Sequence, residues 1–249
     1  MSEAESRGLF PSVVVLGVPV EDVTEADVLQ FVRERVLSRS ASQIATVNAE
    51  FVMHAQENER FRRALLDSEL RTPDGMGVVL AARRRGVPIP RRVGGSDLIW
   101  SISEQAARLG HRVFLLGAGP GIAQRAAQRL SETFPGLEIA GTFAGSPRTG
   151  EDAEQIDMIL GSKPDILFVA YGAPDQEIWI DEVKNRLGVP VIMGVGGSFD
   201  YVAGVVRRSP RWMQNIGLDW LFRLLIQPWR LRRMLVLPRF ALLAMTRSD

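Results

Sequence analysis

Apolar positions along this chain fall into two periods: short unbroken runs and longer stripes at helical spacing. The run at 13–17 predicts a buried strand. Thr24 then precedes a stripe at Val28, Leu29, Val32 and Val36, which predicts a helix capped by Thr24, with Asp27 in its first turn, running to about residue 37. A β-branched run at 44–47 predicts the next strand, and helical stripes follow at 49–56, 59–68, 76–85 and 96–109. Gly86 with Pro88 stops the third of these helices and Gly110 the fourth. The second half is more regular: strands at 112–116, 137–142, 166–170 and 189–193 alternate with helices at 121–134, 153–160 and 175–187. This alternation predicts an α/β fold, a Rossmann-like parallel sheet flanked by helices on both faces. From residue 207 the pattern changes. Arginines from Arg207 to Arg239 face a single acid, Asp219, before the last residue, among Trp212, Trp220, Trp229 and many leucines. Pro228 and Pro238 divide this stretch into short helices. The expectation is a core over 1–206 and a basic amphipathic helical appendage over 207–249.

With 249 residues, 46% hydrophobic and 24% charged, the chain can bury a large core and is not a candidate for disorder. A net charge of +1 argues against a general nucleic-acid binder. Cysteine is absent, which excludes disulfides and a thiol nucleophile, and with only His54 and His111 a multi-histidine metal centre is not expected. Residues 1–10 show no secretory signal pattern, and no apolar run approaches the roughly 18–20 residues that span a bilayer. The expectation is a cytoplasmic protein without a transmembrane helix.

Candidate chemistry collects at strand ends, the edge where open α/β sheets bind ligands. Thr46 and Asn48 alternate at the end of one strand and can point to one side. Asp74 stands between Pro73 and Gly75 on a restricted backbone. Plainer roles exist for both: Asn48 can cap the next helix, and Pro-Asp-Gly is a common turn composition. Glycine-rich turns follow later strands. Gly117-Ala118-Gly119-Pro120-Gly121 can present a helix N-terminus to a phosphate, or simply pack helix on strand. Its GxGxG spacing, and the lack of an acid after the next strand, disfavour a dinucleotide cofactor and hence an oxidoreductase. Gly172, Gln176 and Glu177 stand at another turn, where Glu177 could serve only as a charge at a helix N-terminus. Gly196, Gly197 and Asp200 stand at a third, where the glycines permit close backbone approach to a ligand. No Asp-x-Asp motif occurs to bridge a metal to a diphosphate. Arginine is the substitute, since its guanidinium pairs bidentately with phosphate. Arg92 is the first choice and Arg83 the second, while Arg84 and Arg85 fit a solvated helix face.

The chain resembles the WecG/TagA/CpsF family of bacterial glycosyltransferases. The matching pieces include Thr46-Val47-Asn48-Ala49-Glu50-Phe51, Pro73-Asp74-Gly75-Met76-Gly77, Arg92-Val93-Gly94-Gly95-Ser96-Asp97, Gly172-Ala173-Pro174-Asp175-Gln176-Glu177 and Gly194-Val195-Gly196-Gly197-Ser198-Phe199-Asp200. In the appendage, Gly217-Leu218-Asp219-Trp220-Leu221-Phe222-Arg223 continues the match. The resemblance implies inverting transfer, without an essential metal or other cofactor, from a UDP-sugar to a polyprenyl-diphosphate-linked saccharide at the inner membrane face. In the best-known members the donor is UDP-N-acetylmannosamine or its uronic acid and the acceptor sugar is N-acetylglucosamine; others transfer glucose or related sugars in exopolysaccharide assembly. It places the catalytic aspartate at Asp74. Thr46 and Asn48 are then expected to bond sugar hydroxyls or the base, within an acceptor and catalytic half at about 12–110. Gly117, Gly172, Gln176, Glu177, Gly196, Gly197 and Asp200 are expected to face the nucleotide sugar in a half at about 111–206. The appendage serves either the membrane surface or a lid, in which Arg211 or Arg223 reaches a diphosphate. Asp175 stands where many members have lysine, and Gly141-Thr142-Phe143-Ala144-Gly145-Ser146 departs from the usual pattern, which leaves the donor sugar open. A non-catalytic UDP-sugar or lipid-binding protein is the other reading. The apolar face at Phe51, Val52 and Ala55 hints at a homo-oligomer.

Overall fold

The computed structural model describes residues 9–87, 89, 91–148, 150–210, 212–213, 218–228 and 231–246, without the side chains of 232 and 233. The first apolar run is not a lone strand but half of an antiparallel hairpin, β1 (Ser12–Val15) with β2 (Val18–Glu21). The turn residues Leu16 and Gly17 take positive φ of 50° and 77°, as tight two-residue hairpins require. Helix α1 (Glu25–Ser38) starts at a capping box: Asp27 N donates to Thr24 Oγ1 at 3.3 Å, and Thr24 N donates to the Asp27 carboxylate at 2.8 Å.

The main sheet has six parallel strands: β3 (Gln43–Val47), β4 (Leu70–Pro73), β5 (Arg112–Gly117), β6 (Glu138–Phe143), β7 (Ile166–Ala170) and β8 (Val191–Gly194). Their order is β4-β3-β8-β7-β5-β6. Every residue of β3, β4, β7 and β8 is buried, as expected for strands covered on both faces. Alternate side chains feed separate cores: Ile44, Leu70, Ile166 and Phe168 on one face, and Ala45, Val47, Leu167 and Val169 on the other. The first core is closed by α1, α5 (Gly95–Leu109), α6 (Ile122–Thr133) and α9 (Ser198–Val202). On the other face lie α2 (Ala49–Glu57), α3 (Glu59–Leu66), α4 (Met76–Arg84), α7 (Ala153–Ser162) and α8 (Asp175–Leu187).

Strand β4 has no apolar signature, because its four residues include Arg71 and Pro73. It forms because Arg71 is neutralised where it is buried. The guanidinium pairs with Glu21 of the hairpin and donates to the carbonyl of Ser68 at 2.5 Å, while Arg71 N donates to Glu21 Oε2 at 2.6 Å. Pro73 is tolerated at the end of an edge strand, where its missing N–H breaks no ladder.

Past residue 207 the chain forms α10 (Asp219–Ile226), α11 (Leu231–Met234) and α12 (Val236–Thr246). Pro238 does not break α12; it sits in the first turn, where no helical N–H is needed. Helix α12 packs across α2 and α4, burying Phe240 and Ala244 in the same core as Phe51, Val52 and Ala55. The apolar face at Phe51 that hinted at a homo-oligomer is therefore covered by the chain's own last helix.

Candidate active site

The C-terminal ends of β4, β3, β8 and β7 are four neighbours in the sheet, and the loops leaving them converge on a cavity of about 780 Å³. Strands β3 and β4 come from the first half of the chain and β7 and β8 from the second, so the halves meet at the β3–β8 pair. That crevice is where open α/β sheets place ligands.

Asp74 is the first residue beyond β4, and its backbone is pinned on both sides. Asp74 N donates to Val47 O at 2.7 Å, Val93 N to Pro73 O at 2.8 Å, and Thr72 Oγ1 to Val93 O at 2.8 Å. The loop before α5 is thereby tied over the end of β4. Arg92 Nη1 lies 3.5 Å from the Asp74 carboxylate, while its Nη2 pairs with Asp97 at 2.6 Å. Asp97 is also paired with Arg208, at 2.7 Å. Gly95 N–H at the start of α5 donates to the Asp74 carboxylate. Burial pushes the Asp74 carboxyl above the ordinary aspartate range, and the positive charge of Arg92 only partly offsets it. Asp74 is nevertheless not sealed off: its side chain is 22% exposed, and it lines the cavity.

Two glycines shape the niche around this acid. A Cβ on Gly94 would fall 2.4 Å from Asp74 Oδ1, and one on Gly95 would fall 3.2 Å from Thr46 Oγ1. Sequence reasoning had no role for either. They act across the fold rather than along the chain, and only their place in a glycine pair beside Arg92 marked them. Thr46, buried in β3, and Asn48 both line the cavity. Asn48 Oδ1 caps α2 by accepting from Phe51 N at 3.0 Å, so the plainer role for this side chain holds, and the amide nitrogen is the group left to face a substrate.

On the opposite wall, Gly172, Gln176, Gly196 and Gly197 line the cavity. Gln176 Oε1 accepts from Gly172 N and Gly196 N, both at 3.0 Å, and so ties the β7 turn to the β8 turn. These two backbone N–H groups are occupied by Gln176 rather than turned to a ligand. Gln176 Nε2 donates to Glu177 Oε1 at 2.9 Å, and Gln43 Nε2 to Glu177 Oε2 at 2.7 Å. Glu177 is fully buried beneath the wall and does not line the cavity; burial pushes its carboxyl up to about 7 against those two hydrogen bonds. It stands in the first turn of α8 as expected, but beneath the wall, where Gln43 and Gln176 enclose it.

Other expected residues lie off the cavity. Gly117 ends β5 packed against β7, where a Cβ would meet the Ala170 carbonyl carbon at 2.8 Å, a strand-on-strand contact rather than the helix-on-strand packing expected. Asp200 sits on α9 with its carbonyl accepting from Val205 N and Val206 N, and is not part of the lining. Arg83 turns away and donates from Nε to Ile89 O at 3.0 Å, whereas Arg84, exposed as a solvated helix face requires, also lines the mouth. The difference is one residue of helix rotation, about 100°, which a run of three arginines does not disclose. Arg211 lies outside the described residues. Arg223 on α10 lines the cavity, hydrogen-bonded to the Tyr201 hydroxyl and stacked 4.8 Å above the Tyr201 ring centroid. Its charge reaches Asp74. Among the described residues no three His, Asp or Glu side chains form a metal-ligand group.

The arrangement offers an acid of raised proton affinity, polar side chains at a strand end, and the guanidinium of Arg223 from the C-terminal helices across the opening. The chain is similar to known proteins. An N-acetylglucosaminyldiphosphoundecaprenol N-acetyl-beta-D-mannosaminyltransferase of Bacillus spizizenii is 37% identical over 79% of this chain and 76% of its own length. The protein of that name in Bacillus subtilis is 34% identical over 80% and 77%. The one in Staphylococcus aureus is 29% identical over 95% and 93%. The family model for the glycosyl transferase WecG/TagA/CpsF family matches residues 13–248, from the hairpin through the last helix. With that span covered, this chain belongs to the WecG/TagA/CpsF family of glycosyltransferases.

Proposed function

We propose that this glycosyltransferase moves N-acetylmannosamine from its UDP-linked form to the N-acetylglucosamine of a polyprenyl-diphosphate-linked acceptor, with inversion. The relatives' names supply the sugar and the acceptor. The observation that carries the chemistry is Asp74, a carboxylate held at the cavity floor with raised proton affinity. In this reading an acceptor hydroxyl attacks the anomeric carbon as its proton passes to Asp74. The new C–O bond forms on the face opposite the breaking bond to UDP, and UDP leaves with that electron pair. A base of raised pKa is matched better to a sugar hydroxyl than an ordinary aspartate is. Gly95 N–H and Arg92 hold the carboxylate in place and offset part of the burial that favours its protonated form. Thr46 and the Asn48 amide orient sugar hydroxyls. Gly172, Gly196 and Gly197 give a wall without side chains for the donor, kept in shape by Gln176. Arg223 and Arg84 meet diphosphate charge, a task that guanidinium groups perform without a metal. Activity that collapses in EDTA and returns with magnesium would contradict that last assignment.

Among the described residues no helix is long and apolar enough to cross a membrane. The C-terminal helices expose Trp220, Leu231, Leu235 and Leu242, which supports peripheral attachment at the inner membrane face beside a lipid acceptor. The test is a panel of UDP-sugars mixed with a polyprenyl-diphosphate-N-acetylglucosamine analogue and read by mass spectrometry. The expected product carries one added N-acetylhexosamine from UDP-N-acetylmannosamine. Exclusive use of UDP-glucose would replace the donor, and no product from any donor would overturn the reading.

A further inference from the structure

The cavity changes character along its length. Around Asp74, Arg92 and Gln176 it is polar, but where α4 faces α12 its walls are Leu80, Ala81, Leu237, Ala241 and Met245. This end is open to solvent rather than filled: Leu80 is 58% exposed and Met245 56%, while Phe240 beneath them is 4% exposed. Arg84 stands at the rim, with Nη2 donating to Met245 O at 3.4 Å. Helix α4 measures the distance, because it starts just after Asp74 and its lining residues run outward. At about 1.5 Å per residue, Leu80 lies about 6 Å and Arg84 about 12 Å beyond the helix start. A pyranose and its diphosphate cover a comparable length. A tail attached to that diphosphate therefore emerges between α4 and α12.

We propose that this apolar trough is a binding site for the isoprenoid chain of the acceptor, seating the isoprene units nearest the diphosphate. The inference rests on the lipid-linked acceptor of the proposed function. It commits to that chain because the trough is continuous with the cavity that holds Asp74, and because Arg84 and Arg223 provide the positive charge that a diphosphate-capped lipid needs at its head. The trough selects the lipid on the protein itself, before any contribution from a bilayer surface.

Binding without turnover tests it. Affinities of the full chain for farnesyl diphosphate and methyl diphosphate are measured by calorimetry below the micelle concentration. The same is done for Leu80→Gln and, separately, Ala241→Gln, both at exposed helical positions. Farnesyl diphosphate should bind at least about tenfold tighter than methyl diphosphate, since several apolar groups leave water, and each variant should shrink that ratio severalfold. The affinity for methyl diphosphate should stay unchanged. Equal affinities in the wild-type protein, or a ratio that survives in both variants, would overturn the trough. Loss of glycosyl transfer with the affinity ratio intact would count against the proposed reaction and leave the trough standing.

Discussion

Glu177 is a carboxylic acid with no contact to solvent, enclosed by Gln43 and Gln176. Its pKa is raised from 4.5 to about 7 by burial, so the folded chain holds this proton more tightly than the unfolded one. Stability from the protonated form is therefore full below about pH 4.5 and is lost as the pH rises through about 7. The loss through this group should be on the order of 3 kcal/mol. Glu177→Gln should remove that component, because Gln43 Oε1 is buried without a partner and can accept from the new amide. Urea unfolding midpoints across the pH range check this; identical slopes in both proteins would refute it. Gly94 gives a sharper residue-scale case. In Gly94→Ala the methyl group would fall 2.4 Å from Asp74 Oδ1, so the acid must move. Turnover should fall about a hundredfold through misplacement alone, with little change in melting temperature. As a control, Gly161→Ala in α7 meets nothing within 4 Å and should leave turnover unchanged. Asp74 was conspicuous in the sequence, because proline and glycine flank it. Its dependence on Gly94 was not, since the contact closes only when the loop before α5 folds over β4.

The elements were legible wherever one period ran long enough. Strand β7 and helix α8 fall at their expected bounds, and α1 begins at its expected cap. Other elements carry no such period. The hairpin looks like one strand because Leu16 is apolar yet sits in the turn, and β4 shows no strand pattern because its burial depends on Glu21, 50 residues away. A charge that is neutralised only in three dimensions gives no apolar signal. The last helix falls within the appendage that the arginines from Arg207 to Arg239 suggest. In the structure α12 is bound to the core through Phe240, which also crowds Gly77, where a Cβ would meet its ring at 3.3 Å. Phe240→Ala should therefore cost about 3 kcal/mol of stability, measured by urea unfolding, and should lower activity because α12 walls the cavity. An unchanged midpoint would mean that α12 is not part of the cooperative unit.

At the scale of the molecule, the cavity is assembled by three parts of the chain: the first half supplies the acid, the second half the glycine wall, and the C-terminal helices the arginine and the apolar trough. The division into halves was readable from the regular alternation of strands and helices. For the C-terminal stretch the sequence offers a membrane element and a lid side by side, because a basic, aromatic-rich sequence suits a membrane surface and a cavity wall equally well. The proposed reaction depends on Asp74 as the base. The most direct measurement is the turnover of Asp74→Asn with UDP-N-acetylmannosamine and a soluble polyprenyl-diphosphate-N-acetylglucosamine analogue, taken beside its unfolding midpoint. The account predicts that kcat falls by about 10²–10⁴ with the fold retained, as removal of a positioned base does. Near-normal turnover in a folded Asp74→Asn protein would contradict it.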